Sequence, residues 1–461
     1  MRPPNRWTAV VREAHTALAE SPRVRPWWWL VAAAALIRLC FLGAFMMDAR
    51  IDFGALPGDP FYRSHSCLTA YWQAGALARA REINLYDPAL YENRRLDGFE
   101  VDAYVYPPPF LLWPAGAAVL SNEFKTIRAA WFGLELGLFL WAYGSVAAWI
   151  GGRSGGRCLL WLPVVATGLP VLLGMQMGNF HLAAMALAMM AMLAVEEGRH
   201  GRAGLWTAVA TGAKLFPAIL LLVFAGRRKP TPILWTIGWL ALLTATTTVL
   251  FGTAPLRSFL AFQLPRLVDA DRVPWTAPGL FGTVNSSIVG LGLKLRAIGV
   301  PVGPSGSAAA AFIYAIVLLT AAFAAGLGAK DTHAALDVEQ WSVEQKRLGS
   351  AQSWLSFLAL ASMGAPFLPD AYGGAVALWL LALVAVNARG KQLVWTALAF
   401  ALLWPVLPSR IAAPGFEPLR LAFTLAAQLM FVALTGSIAW RAAGRWVTSD
   451  LSRTGARRRR S

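Results

Sequence analysis

Apolar runs recur along nearly the whole chain, and they constrain its fold more than anything else in the sequence. The candidate spanning segments are Trp27–Met47, Tyr106–Leu120, Ala129–Ile150, Cys158–Gly174, Phe180–Val195, Ala203–Ala225, Ile233–Phe251, Ala308–Leu327, Trp354–Leu368, Gly374–Val386, Leu393–Leu407 and Leu419–Trp440. A helix needs about 20 mostly apolar residues to cross a membrane. The first run is too long for a signal-peptide core and lacks a cleavage site, so it is expected to stay as a helix. Only 14% of residues are charged, against about 25% in soluble domains, so the chain reads as an all-α polytopic membrane protein. Several runs are short and broken by proline, notably YPPPFLLWP and TGAKLFP. Such breaks survive at membrane depth only where protein or a water-filled cavity shields the freed backbone groups. The expected architecture is therefore a helix bundle built around a cavity.

The net charge of +17 raises the question of nucleic acid. The basic residues sit in short clusters between apolar runs, as the positive-inside rule requires, and no aromatic–basic nucleic-acid module is present. The expected partner is the lipid bilayer, and nucleic acid is excluded. Residues 1–26 read as a basic cytoplasmic arm and residues 441–461, ending in the Arg457–Arg460 run, as a basic cytoplasmic tail near anionic lipid. With both ends inside, the crossings should be even in number. Within the transmembrane domain 27–440, residues 48–105 and 252–307 are expected outside, the latter with an interfacial helix over Asn285–Gly299. The linker 329–350 is expected inside. Between Gly151 and Gly201 the sidedness is ambiguous, because GGRSGGR and EEGRHGR are both basic.

The stretch Asp48–Tyr106 is the long polar interruption. It carries nine of the chain's 24 acidic residues and is rich in tyrosine and phenylalanine. A disordered tether would have few aromatics, so this stretch reads as a folded cap on one membrane face and as the home of the chemistry. Three cysteines, Cys40, Cys67 and Cys158, are too few and too scattered for a disulfide framework or a zinc site. There is no internal repeat of the transporter kind.

Four places stand out. Asp59, held between Gly58 and Pro60, is suited to act as a general base toward a hydroxyl; Asp52, nearer the helix end, competes with it, and either residue is otherwise a solvated loop acid. Lys214 lies in the middle of an apolar run just before Pro217. An ionisable residue at such depth is a functional hypothesis by default, and a cation there suits a lipid phosphate; snorkelling to an interface is the plainer alternative. In GMQMGNFH, the polar Gln176, Asn179 and His181 can hydrogen-bond a sugar or simply tie helices together. In the outer loop 263–290, Arg266, Arg272, Asn285 and Ser286 are placed to face a polar ligand.

Taken in order, these elements resemble glycosyltransferase family 87, a GT-C-type family of polytopic enzymes that use polyprenyl-phosphate sugars. The similar features are an acidic residue after the first helix, Leu85-Tyr86-Asp87 followed by Tyr106-Pro107-Pro108, and Gly174, Gln176 and Asn179 in a G-x-Q-x-x-N element. To these add Ala203-Gly204 with Lys214 and Pro217, Asn285 and Ser287 preceded by Gly282, and a late turn with Pro366, Pro369 and Tyr372. The family's late turn usually reads S-P and Y-D, where this chain has Ala365-Pro366 and Tyr372-Gly373.

The resemblance implies a GT-C fold and transfer of a hexose, by default mannose, from a polyprenyl-phosphate donor to a glycolipid or glycan acceptor with inversion. Asp59 or Asp52 would be the base; Lys214, Arg266 and Arg272 would meet the donor phosphate. Tyr106, Gln176, Asn179, His181, Asn285, Ser286 and Tyr372 would hold sugar or acceptor. No cofactor is implied: there is no Gly-rich phosphate loop and no paired-acid metal motif. The implied location is a bacterial inner membrane, with the site on the extracytoplasmic side. The rival class is a transporter or flippase for a lipid-linked or polar substrate, which would also need a cavity and a buried cation.

Overall fold

The computed structural model describes residues 5–79, 83–268, 283–331, 342–406 and 417–458. The described chain is almost entirely helical. The one strand pair, Arg95–Leu96 with Phe99–Glu100, is joined by a two-residue turn in which Asp97 and Gly98 both have positive φ, the geometry that suits the right-handed twist of a hairpin. Among the described residues, five helices are long and apolar enough to cross a membrane, or six if one bent pair counts as a single span.

The amino-terminal arm is itself ordered. Asn5 caps α1 (Arg6–Ala19), and Val10, Ala14 and Leu18, spaced one turn apart, are buried. They pack on α7 (Gly152–Leu160), after α2 (Arg25–Met47), α3 (Pro60–Ser64), α4 (Leu68–Ala78), α5 (Leu112–Leu120) and α6 (Phe124–Ile150). A Cβ on Gly156 would lie 2.7 Å from the Ala14 nitrogen, so the two backbones meet because that position carries no side chain.

Polar contacts divide the loops between two faces. Arg6 reaches Glu197 at 2.9 Å, Arg153 pairs with Glu20, Glu344 accepts from Ser154 N at 3.0 Å, and Arg347 donates to the Trp149 carbonyl at 2.8 Å. All of these lie on what we term the arm face. The clusters GGRSGGR and EEGRHGR are thus on one side, which removes the ambiguity. The reason is a broken crossing: α7 continues through α8 (Leu162–Ala166) and then bends by 64° into α9 (Leu169–Met177), and α10 (His181–Glu196) returns.

Two apolar runs do not cross. The run Ala203–Ala225 is a hairpin of α11 (His200–Ala213) and α12 (Ile219–Gly226). Its start follows Glu197, and its end is tied back by Arg227 to Glu196. Lys214 is extended, at φ −139° and ψ 130°, and Pro217 lacks an N–H, so the helix breaks there. The run Tyr106–Leu120 likewise stays at the cap. Tyr106 bonds Tyr71 on α4, α5 packs on α4, and Phe124 beyond its end lies against Phe99 and Trp72 of the cap.

The rest runs back and forth. α13 (Pro230–Phe251) reaches the cap, where Phe259, between the short helices α14 (Ala254–Ser258) and α15 (Leu264–Val268), packs 5.7 Å from the Tyr86 ring. After α16 (Ile288–Ala297), α17 (Pro304–Asp331) returns to the arm face and meets α12 at Gly226 and Gly326, where a Cβ on either would sit 3.0 Å from the other's Cα. α18 (Val343–Met363) ends five residues before the expected Leu368, and 364–369 form a turn. Then follow α19 (Asp370–Ala385), α20 (Lys391–Leu403) and α21 (Glu417–Arg458). Arg272, Gly282 and much of the linker 329–350 lie outside the described residues.

Candidate active site

The hairpin places Lys214 at its tip, facing the cap. Its Nζ donates to the Tyr106 hydroxyl at 3.3 Å and stands 4.3 Å over the ring of the same residue. The Tyr71 hydroxyl also donates to Tyr106 Oη, at 2.7 Å, as does Asn179 Nδ2, at 3.0 Å. One phenolic oxygen, with two lone pairs, is thus approached by three donors. Among the described residues no carboxylate lies within ion-pair distance of Lys214. The group is rich in donors, cationic and short of acceptors, which is the composition of an anion site.

Two more expected residues join it. The His181 ring stacks on Tyr372, at 5.8 Å, and lies tilted against Phe216, at 4.8 Å. Tyr372 Oη lies 3.2 Å from Cys67 Sγ, which accepts from Asn179 Nδ2 at 3.4 Å. His181 Nε2 and Thr211 Oγ1 are buried and have no hydrogen-bond partner among the described residues. Buried polar atoms are nearly always paired, so these two are available to a ligand.

Gln176 serves the cap backbone. Its Oε1 accepts from Ala55 N at 2.5 Å and its Nε2 donates to the Tyr62 carbonyl at 2.6 Å. This clamps the loop that presents Asp59. Asp59 is buried and caps α3, its Oδ1 accepting from Phe61 N at 3.1 Å and Tyr62 N at 3.3 Å. Around it stands a second set of charges. Arg420 on α21 feels both Asp59 and Asp370. Lys294 interacts with Asp370 and donates to Gln428 Oε1 at 2.9 Å. Burial pushes the Lys294 ammonium down to about 8.

Asn285 and Ser286 hold the late turn. Asn285 Oδ1 accepts from Leu368 N and Ser287 N, each at 3.0 Å, and its Nδ2 donates to the Pro366 carbonyl at 3.0 Å. Ser286 N donates to the Leu368 carbonyl at 2.7 Å. That turn starts α19, so Asp370 of the second set and Tyr372 of the Lys214 group are carried by one helical turn. Ser286 and Asp370 also line a small cavity with Thr424 and Gln428.

Lys214, Tyr106, Asn179, His181 and Tyr372 therefore converge, while Asp59, Asn285 and Ser286 belong to the neighbouring set. Asp52 is half-exposed, 3.8 Å from Arg63. Arg266 donates to the Tyr86 carbonyl at 3.4 Å and packs over Phe262.

Several ionisable residues outside the expected set also stand out. His65 and Asp102 pair at 3.3 Å beside Cys67. Burial lowers the His65 imidazole, but the Asp102 carboxylate, with Cys67 and Glu100, overcomes it and raises the group to about 9. Burial raises Asp102, against the pull of His65. Glu135 on α6 is fully buried with neither carboxylate oxygen bonded among the described residues. The rule that singled out Lys214, an ionisable side chain in an apolar run, would have found it in FGLELGLFL.

No curated protein and no solved structure matches the chain. The family model for glycosyltransferase family 87 matches residues 104–343, more than half of the sequence. The match takes in Tyr106, Gln176, Asn179, His181, Lys214, Arg266, Asn285 and Ser286. On that match the chain belongs to glycosyltransferase family 87.

Proposed function

We propose that this membrane glycosyltransferase moves a hexose, with mannose favoured, from a polyprenyl-phosphate donor to a hydroxyl of a lipid- or envelope-linked acceptor. The observation that carries this reading is the donor-rich group around Lys214 and Tyr106. A phosphate brings the acceptors that this group lacks, and its negative charge meets a lysine with no carboxylate partner among the described residues. Arg266 and Arg272 are further candidates for the donor phosphate.

In the reaction, the acceptor oxygen attacks the anomeric carbon as the bond from that carbon to the phosphate oxygen breaks, with inversion. The acceptor proton passes to Asp59, or to Asp52. The lipid phosphate leaves with the electron pair, its charge balanced by Lys214. Asn179, His181, Tyr106 and Tyr372 present amide, imidazole and phenol groups to the sugar. Phosphate is already a good leaving group, so positioning and electrostatic stabilisation supply most of the rate. The cap lies opposite the basic arm face, which supports an extracytoplasmic site in a bacterial inner membrane.

The test is transfer by purified protein from polyprenyl-phosphate hexoses, mannose first, with glycolipid acceptors. Turnover with these donors is expected. Turnover only with nucleotide sugars would overturn the reading, as would substrate translocation without transfer.

A further inference from the structure

Beside the Lys214 group stands a second set of ligand-type side chains that has no part in the roles above. The donor atoms of His65, Cys67 and Asp102 all lie within 4.8 Å of one another. Chain pairing brings them together: His65 bridges Glu100, and Thr69 Oγ1 accepts from Asp102 N at 3.1 Å while donating to the Glu100 carbonyl at 3.1 Å. The His65 ring stacks on Phe61, 4.7 Å away and 18° from parallel, so its plane is fixed by packing.

The spacing matters. His65 Nε2 and Asp102 Oδ2 are 3.3 Å apart. Two atoms each about 2.0–2.1 Å from a tetrahedral zinc ion stand about 3.3–3.4 Å from each other. Cys67 Sγ, the third atom, already accepts from Asn179 Nδ2 and touches the Tyr372 hydroxyl, neighbours of the kind that orient and stabilise a thiolate ligand. Cys67 is buried, while the side chains of His65 and Asp102 are 20% and 27% exposed, which leaves an entry path from the cap surface.

The geometry points to a site for a zinc-class dication, held by His65, Cys67 and Asp102 with a fourth position open. An imidazole, a thiolate and a carboxylate select zinc over magnesium or calcium, which take oxygen ligands. Three protein ligands with an open place is the arrangement in which zinc keeps a water or a substrate atom. Binding releases the thiol proton and the proton that His65 Nε2 holds against Asp102. The ion would pin the start of α4 to the strand pair, its charge balanced by the thiolate and the carboxylate, beside Asn179 and Tyr372, the two residues that link Cys67 to the Lys214 group.

The experiment is cobalt(II) titration of the full chain, purified in detergent and first stripped with a chelator. One equivalent should bind with a thiolate-to-cobalt charge-transfer band in the near ultraviolet and the intense visible bands of tetrahedral cobalt, and zinc should displace it. Cys40→Ser should leave the spectrum unchanged; Cys67→Ser should abolish the charge-transfer band. His65→Gln and Asp102→Asn, which keep the buried thiol, should each weaken binding at least 10-fold and carry the test if Cys67→Ser does not fold. Absence of saturable binding to folded wild-type protein would overturn the site, and so would a spectrum unaltered by His65→Gln and Asp102→Asn.

Discussion

Lys214 holds its ammonium over the ring of Tyr106, 4.3 Å from the centroid, and bonds the hydroxyl of that same residue at 3.3 Å. One tyrosine thus receives the cation on its face and at its edge, and keeps the charge pointed at the cap.

Lys214→Met should fold, because Met keeps the length and removes the cost of a charge at membrane depth, and Tyr106 keeps Tyr71 and Asn179 as donors. Donor affinity and rate should fall together, the rate by about 100-fold or more, since phosphate charge is present before transfer and grows during it. Lys214→Arg should restore a part. The measurement is activity per folded molecule; a normal value for Lys214→Met would remove this residue from the site.

Asp59→Asn keeps the cap of α3, because Asn is as good an N-cap as Asp, and it loses basicity together with the charge that Arg420 feels. Transfer should drop by about 100-fold or more, the scale of a general base, and Asp52→Asn should be milder. Near-normal turnover by well-expressed Asp59→Asn would move the assignment to Asp52.

Gln176→Ala leaves Ala55 N and the Tyr62 carbonyl without their partner. Orphaned buried groups cost about 1–3 kcal/mol each, so the cap loop 54–62 should exchange amide hydrogens faster and the melting temperature should fall. Unchanged exchange in that loop would mean that the amide is not its clamp.

Sidedness is checked by labelling single-cysteine reporters in a cysteine-free background. A reporter at Asn93 should react from outside, and reporters at Gly198, Arg228 and Ser461 should not. Reaction at Gly198 without reaction at Arg228 would contradict the hairpin.

The sequence carried Lys214 plainly, because a lone cation in an apolar run needs a reason. It did not carry the hairpin, because a helix that turns back at Pro217 is as apolar as one that crosses. The folded cap was legible from its aromatics, and Tyr71, Tyr86, Tyr104 and Tyr106 are buried there. The pairing of His65 with Asp102 was not, since the contact depends on strand register far along the chain. Val10, Ala14 and Leu18 have helical spacing, but a basic arm gives no sign that Gly155 and Gly156 are bare enough to receive it.

If Lys214 meets the donor phosphate as proposed, the short reach of α11 sets the depth at which they meet. At about 1.5 Å per residue, its 14 residues carry the chain about 21 Å from the arm face, against a hydrocarbon thickness of about 30 Å. The lysine therefore stops roughly 9 Å short of the opposite boundary by the same arithmetic. A lipid donor can meet it by sinking its headgroup a few ångströms while its tail stays in its own leaflet, and the sugar then rests at the waterline under the cap.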